Sequence, residues 1–418
     1  MGAKRTAISV GALVAALTIA GCAAESTPPA AHTTPTAAPS PVPTLSAQER
    51  THAWVDRRLA GMTLEQKAAS LLMVHAPGTD PAPLRALVDQ GVGGVILMGD
   101  NIPGTPEELR DLTSALHVES DAATLVGIDE EGGIVQRLPW DPAADPAQLR
   151  AAPAADAQTA FSMRADVLAA SGINVNFGIV ADVTADPASF IWDRVLGTDP
   201  QSAGDRVAAA VTGEQAQGSV AGTVKHFPGH GAAPGDSHTS VPAAPLTLDE
   251  WRAAAAPPFR AAVDADVDLV MTGHLAYPAV DPTPASLSPV WHRILREELG
   301  FDGVVVTDDM LMLQHNGLAE YADAGENAIR AVAAGSDLLL YVLPADPSTF
   351  GISVPGLSAA LADAVRSGRI PQDRLDEAAA RVMTLRADLS PFLSRQIETR
   401  EGSDTCLVDG IPVSVCSV

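Results

Sequence analysis

Eight short apolar runs recur along the chain, at residues 71–74, 92–98, 124–129, 173–183, 220–227, 267–274, 303–309 and 337–342. Most are followed by a polar cluster and then by a stretch with helical spacing. The helical stretches are 83–89, 106–117, 155–170, 205–217, 248–263, 289–298 and 321–334, with two more at 356–367 and 372–385. Runs rich in Val and Ile with no polar alternation read as strands of a parallel sheet covered on both faces. Eight strand–helix alternations predict an α/β fold, a (β/α)8 TIM-type barrel forming a single domain. An open doubly wound sheet is the alternative, but no glycine-rich dinucleotide fingerprint follows an early strand.

The pattern changes before and after this body. Lys4 and Arg5 lead into an apolar stretch at 7–20 that ends in Ile19-Ala20-Gly21-Cys22. A short basic region, an apolar core below membrane-spanning length and small residues before a cut site predict a secretory signal over 1–21 rather than a spanning helix. The run resembles a bacterial lipobox, which makes Cys22 the lipidated N-terminus of the mature chain. Met1-Gly2 with Thr6 also fits a myristoylation pattern, which a cleaved signal would discard. Residues 22–47 are almost entirely Ala, Thr, Pro and Ser and bury too little surface to offset their conformational entropy, so they read as a tether. The barrel is expected over 48–392, about 350 residues, a usual length for one such domain. Residues 393–418 form a short tail.

A formal charge of -25 and a pI near 4.6 argue against nucleic acid or an anionic surface as partner. Three cysteines suit an exported protein: Cys22 takes lipid, and Cys406 and Cys416 remain as a pair able to close a small disulfide loop. The expected address is therefore the outer face of a bacterial cell membrane.

The polar residues at the strand ends carry the candidate chemistry. The third run ends at Asp129-Glu130-Glu131-Gly132-Gly133, with Arg137 close behind, and the fourth is followed by Asp193-Arg194. The fifth gives Lys225-His226, the sixth Thr272-Gly273-His274 and the seventh Thr307-Asp308-Asp309. In a barrel these ends share one mouth, and five of them on one face suit a polar, hydroxyl-rich ligand.

The segment KHFPGHGAAPGDSH at 225–238 is the densest of these clusters. Its histidines and Asp236 could be zinc ligands, but Pro228 and the glycines break the segment where a local metal site would need fixed ligands. Asp236 and His238 differ in kind, because a carboxylate two residues from an imidazole can fix its tautomer and raise its basicity. Pro228 to Gly235 read as hinge and spacer for that pair. Asp308 is expected in the mouth, and Asp309 could instead cap a helix. A carboxylate facing an acid/base group is the layout of retaining glycoside hydrolysis, here with His238 in place of a second carboxylate.

At this point the motifs resemble a known family. VGGVIL at 92–97, DEEGGIVQR at 129–137, NVNF at 174–177, Asp193-Arg194, KHFPGHG at 225–231, DSH at 236–238, MTGH at 271–274 and TDD at 307–309 resemble family 3 glycoside hydrolases, in their β-N-acetylglucosaminidase branch. The resemblance spans about residues 48–390 and implies Asp308 as nucleophile and His238 as acid/base with Asp236 as its partner. It also implies Asp129, Arg137, Arg194, Lys225 and His226 as residues that hold the sugar hydroxyls, and a structural place for His230. Ile134 and Glu130 depart from the arginine and glutamine common in the branch, which bears on substrate fit. The implied protein is a monomer that needs no cofactor or metal and releases terminal GlcNAc from cell-wall fragments. The competing readings are phosphorolysis in the same site, a β-glucosidase, and a surface glycan-binding protein.

Overall fold

The computed structural model describes residues 46–117, 122–390, 407–408 and 411–412. Cys22, Cys406 and Cys416, and with them the expected lipid anchor and disulfide, lie outside the described residues, as do the signal segment and nearly all of the tether. The described residues 46–117 and 122–390 belong to one compact unit.

All eight apolar runs are strands. They are β1 (Leu72–Val74), β2 (Gly94–Leu97), β3 (Leu125–Ile128), β4 (Val175–Val180), β5 (Ala221–Phe227), β6 (Leu269–Thr272), β7 (Val304–Thr307) and β8 (Leu339–Tyr341). Their neighbours run in the order β7-β6-β5-β4-β3-β2-β1-β8, and every pairing is parallel. Every strand residue is buried, which is why the runs carry no polar alternation. The last gap, between β7 and β8, is joined by the Val306–Leu338 bridge and by backbone bonds such as Thr307 N–H to Leu338 O at 3.0 Å. Asp337 reinforces that seam from the side. Its carboxylate accepts from the Val305 N–H at 2.9 Å and from Arg296 at 2.6 Å and Arg374 at 2.5 Å. The sheet is thereby a nearly closed (β/α)8 barrel, as the alternation predicts.

Large side chains fill the barrel interior. A Cβ on Gly127 would lie 2.8 Å from the Phe177 ring and 3.2 Å from the Met73 sulfur. β3 therefore carries glycine where its neighbours fill the space.

Two helices, Ala47–Ala60 and Leu64–Ser70, stand before β1 and were not among the elements the apolar pattern predicted. Each starts with a capping box, Ser46 with Glu49 and Thr63 with Gln66. That signature was readable in the sequence. They pack against the last two helices, Val354–Arg366 and Gln372–Asp388. The stretch predicted as one helix at 248–263 is two, Leu248–Ala254 and Ala256–Asp264. Pro257 and Pro258 lack the N–H groups needed to carry one helix through. Among the described residues no helix is long and apolar enough to cross a membrane.

Candidate active site

The strand ends converge as expected, and the first group they build is a buried ionic floor. Lys225, at the end of β5, donates to Asp129 and meets Glu131, each at 2.7 Å. Arg194, from the segment after β4, grips Glu131 with two bonds, Nε to Oε2 at 2.9 Å and Nη2 to Oε1 at 2.7 Å. Burial alone would push the Glu131 carboxyl up, but Lys225 and Arg194 overcome it and hold it at about 2. Lys225 is held above its ordinary value by the same logic: burial works to lower it, and Asp129 and Glu131 more than offset that. Arg137 stands 3.8 Å from Asp129 at the edge of this floor.

His226 sits in the same layer with its protonation state fixed by its neighbours. Arg194 has only donors, so its 3.2 Å contact with Nε2 makes that nitrogen the acceptor. The Nδ1–H then donates to Asp182 Oδ2 at 2.7 Å. Burial first, and then the Arg194 charge, hold the imidazole well below its ordinary pKa, so it is neutral. Asp182 also accepts the His230 N–H at 2.6 Å, and burial pushes its carboxyl up to about 6.

Asp308 and Asp309 divide their work at the end of β7. Asp309 Oδ1 accepts from the Leu311 N–H at 3.1 Å and the Val342 N–H at 2.9 Å, so it caps the turn after the strand. Burial raises it to about 7. Asp308 is half-buried and accepts the Asp309 N–H at 2.8 Å. Burial works to raise its carboxyl, but the imidazoles of His226 and His274, the Asp309 N–H and Lys225 hold it below the ordinary carboxylate value. It is therefore an ionised carboxylate at neutral pH, the state a nucleophile needs. His274 donates from Nε2 to the Asp309 carbonyl at 2.9 Å and meets Ser286 Oγ at 2.7 Å, bracing the β7 exit.

The Asp236–His238 pair is the opposite of the floor. His238 Nδ1 lies 2.5 Å from Asp236 Oδ1, which also accepts the His238 backbone N–H at 2.9 Å. The two side chains are 59 % and 42 % exposed. Burial works to raise Asp236, but its bonds to His238 more than offset that and hold it below the ordinary value.

These motifs and this geometry have relatives. Residues 63–385 match the model of the glycosyl hydrolase family 3 N terminal domain. The chain belongs to glycosyl hydrolase family 3. A curated β-hexosaminidase of Thiobacillus denitrificans is 35% identical over 287 residues, 64% of this chain and 77% of that protein. A family 3 β-N-acetylglucosaminidase structure from Paenibacillus sp. (strain FPU-7) superposes with a TM-score of 0.71 at 34% identity, covering 84% of this chain and 65% of that one. A β-N-acetylhexosaminidase from Beutenbergia cavernae gives 0.67 at 31% identity, covering 78% and 99%. The chain is thus a family 3 glycoside hydrolase whose curated relatives are β-hexosaminidases.

Within this family 3 site the structure departs from the sequence reading in several places. Pro228 to His230 are buried and clamped: Trp251 Nε1 donates to the Pro228 carbonyl at 2.7 Å and the Tyr277 hydroxyl to the Gly229 carbonyl at 2.6 Å. A Cβ on Gly231 would lie 1.9 Å from the Val183 carbonyl oxygen. The clamped part of the loop therefore includes Pro228 to Gly231, and the first open space around the backbone is at Gly235. His230 is buried with its backbone bound to Asp182, which gives it a structural place, but neither ring nitrogen has a hydrogen-bond partner. Glu131, Asp182 and His274 were not assigned roles from sequence, although two of them stand in quoted motifs. Their partners come from other strands, and nothing in linear spacing reports that. Among the described residues no group of His, Cys, Asp and Glu could hold a metal ion.

Glu130 and Ile134, the two departures from the branch pattern, separate clearly. Ile134 is 67 % exposed at a loop tip. Glu130 is buried, and its Oε2 accepts the Arg137 and Leu138 N–H groups at 2.8 and 2.9 Å, so it shapes the loop that carries Arg137. Burial raises its carboxyl to about 7.

Proposed function

We propose that the chain is a retaining, exo-acting β-N-acetylglucosaminidase that hydrolyses terminal GlcNAc from GlcNAc-MurNAc cell-wall fragments. The observation that supports this reading is the presence at one end of the barrel of an ionised Asp308, which accepts the Asp309 N–H, together with an exposed Asp236–His238 dyad. In the first step Asp308 attacks the anomeric carbon as the bond to the leaving oxygen breaks, and protonated His238 gives that oxygen its proton. In the second, neutral His238 takes a proton from water, whose oxygen attacks the same carbon and releases Asp308. Asp236 keeps Nδ1 occupied, which leaves Nε2 as the nitrogen that gives and takes the proton. Asp129, Arg137, Arg194, Lys225 and His226 bind the sugar hydroxyls, and contacts that tighten in the transition state lower the barrier.

The enzyme acts as a monomer at the outer face of the bacterial membrane, held through lipid on Cys22. Trapping with a slow fluorinated aryl glycoside tests the nucleophile: label is expected on Asp308 within residues 304–310, and label elsewhere overturns the assignment. Running the reaction with and without phosphate separates hydrolysis, which gives free GlcNAc in both, from phosphorolysis. Membrane association lost in Cys22→Ser supports the anchor, and unchanged association rejects it.

A further inference from the structure

Four large apolar side chains are exposed among the described residues, Ile134, Met163, Phe190 and Leu318. Phe190 stands apart because it lies against the catalytic dyad. Its ring is 39 % exposed on the segment after β4, and its centroid lies 5.8 Å from that of His238 at an interplanar angle of 70°. On its other side His230 lies 5.5 Å away at 41°. His230 is 98 % buried, has no hydrogen bond from either ring nitrogen, and lies edge-on to His226 at 6.1 Å. A continuous series of rings, His226, His230, Phe190 and His238, therefore runs from the buried floor to the exposed dyad.

The loop that carries His238 has little else to locate it. Among the described residues, the hydrogen bonds of 236–240 run within the segment: His238 to Asp236, Thr239 N–H to the Asp236 carbonyl, and Ser240 Oγ to the same carbonyl. Gly235 has a φ of 103°, and a Cβ there would find its nearest neighbour 3.9 Å away, so the loop has room to turn. Gly231 is locked against Val183 four residues earlier. The loop is held at both ends, at Gly231 by Val183 and at Pro242 and Ala244 by backbone bonds of 2.9 Å to Ala276. Between them, among the described residues, no hydrogen bond ties 236–240 to the body, so its imidazole needs a landing point if it is to reach the same place at every turnover. An edge-on ring pair is strong enough to bias such a loop and weak enough to let it leave.

We propose that Phe190, backed by His230, is the seat on which His238 comes to rest, and is thus a positioning residue for proton transfer. The proposal rests on His238 as the acid/base. The test uses the full chain and two aryl β-GlcNAc substrates, a phenyl glycoside that needs its leaving oxygen protonated and a dinitrophenyl glycoside that does not. Phe190→Ala is expected to lower kcat/KM about tenfold or more on the phenyl substrate and less than about twofold on the dinitrophenyl one. Phe190→Tyr, which keeps the ring, restores the phenyl activity. Equal losses on both substrates, no loss on either, or a rise in KM confined to a disaccharide would overturn the seat. His238→Ala is run alongside. If it shows the leaving-group dependence and Phe190→Ala does not, the seat alone fails; if neither does, the acid/base assignment fails with it.

Discussion

The mouth of the barrel holds two groups of polar residues built in opposite ways. In the floor, Glu131, Lys225, Arg194 and Asp182 are buried, and each charge meets at least two partners at hydrogen-bond distance. In the dyad, Asp236 and His238 bond chiefly to each other in a loop with room to move. The difference follows from the work. On the proposed mechanism, groups that bind sugar hydroxyls gain from being fixed before the sugar arrives, whereas a group that serves as acid and then as base must reach two oxygens in succession. Substitutions in the floor should therefore damage fold and activity together, and substitutions in the dyad activity alone.

The largest effect expected is from Glu131→Ala. It leaves Lys225 and Arg194 in a buried site without their shared counter-charge, at a cost of about 3–5 kcal/mol. Both the denaturant midpoint and turnover should fall; a variant that kept its stability would end the distinction between the two regions. His238→Ala should lower kcat/KM by about 10²–10⁴ on a phenyl glycoside. Its unfolding free energy should stay within about 0.5 kcal/mol of the parent because the side chain is exposed. A loss of stability there would show the loop to be part of the fold.

The pH dependence sharpens the same contrast with smaller effects. Glu131 is held at about 2 in the folded chain, below its ordinary 4.5. Its contribution is therefore present above about pH 4.5 and is lost as the pH falls toward 2. Glu214 is buried like Glu131 but has Asn176 as its partner, at 2.5 Å, in place of a cation, and burial raises it to about 8. The sign is reversed: its contribution is present below about pH 4.5 and is lost as the pH rises through 8. Glu214→Gln should flatten that loss, worth at most about 1.4 kcal/mol per pH unit for one group, in denaturant midpoints taken at about pH 5 and pH 8. An unchanged slope would mean that burial without a cation is no burden at Glu214.

Much of this was legible before any coordinates. The eight strands stood out because a parallel sheet covered on both faces needs uninterrupted apolar runs. The strand-end positions of Asp129, Lys225, His226 and Asp308 followed from the same runs, and the short spacing of Asp236 and His238 made their pairing readable. The two helices before β1 lie outside the apolar runs and are marked in the sequence by their capping boxes. The role of Asp309 was open until its carboxylate was seen to accept two backbone N–H groups, one of them from the end of β8.

By itself the sequence determined that these polar residues lie at one end of a barrel, because strand period and local spacing are properties of the linear chain. Only the tertiary structure decided how they are shared out. Glu131 takes both cations because Lys225 and Arg194 reach it from separate strand exits. His226 is neutral because burial and the Arg194 charge hold its pKa down. Open space begins at Gly235, because Trp251, Tyr277 and Val183 hold Pro228, Gly229 and Gly231 in place. Those partnerships join residues far apart in the chain, and no spacing along it encodes them.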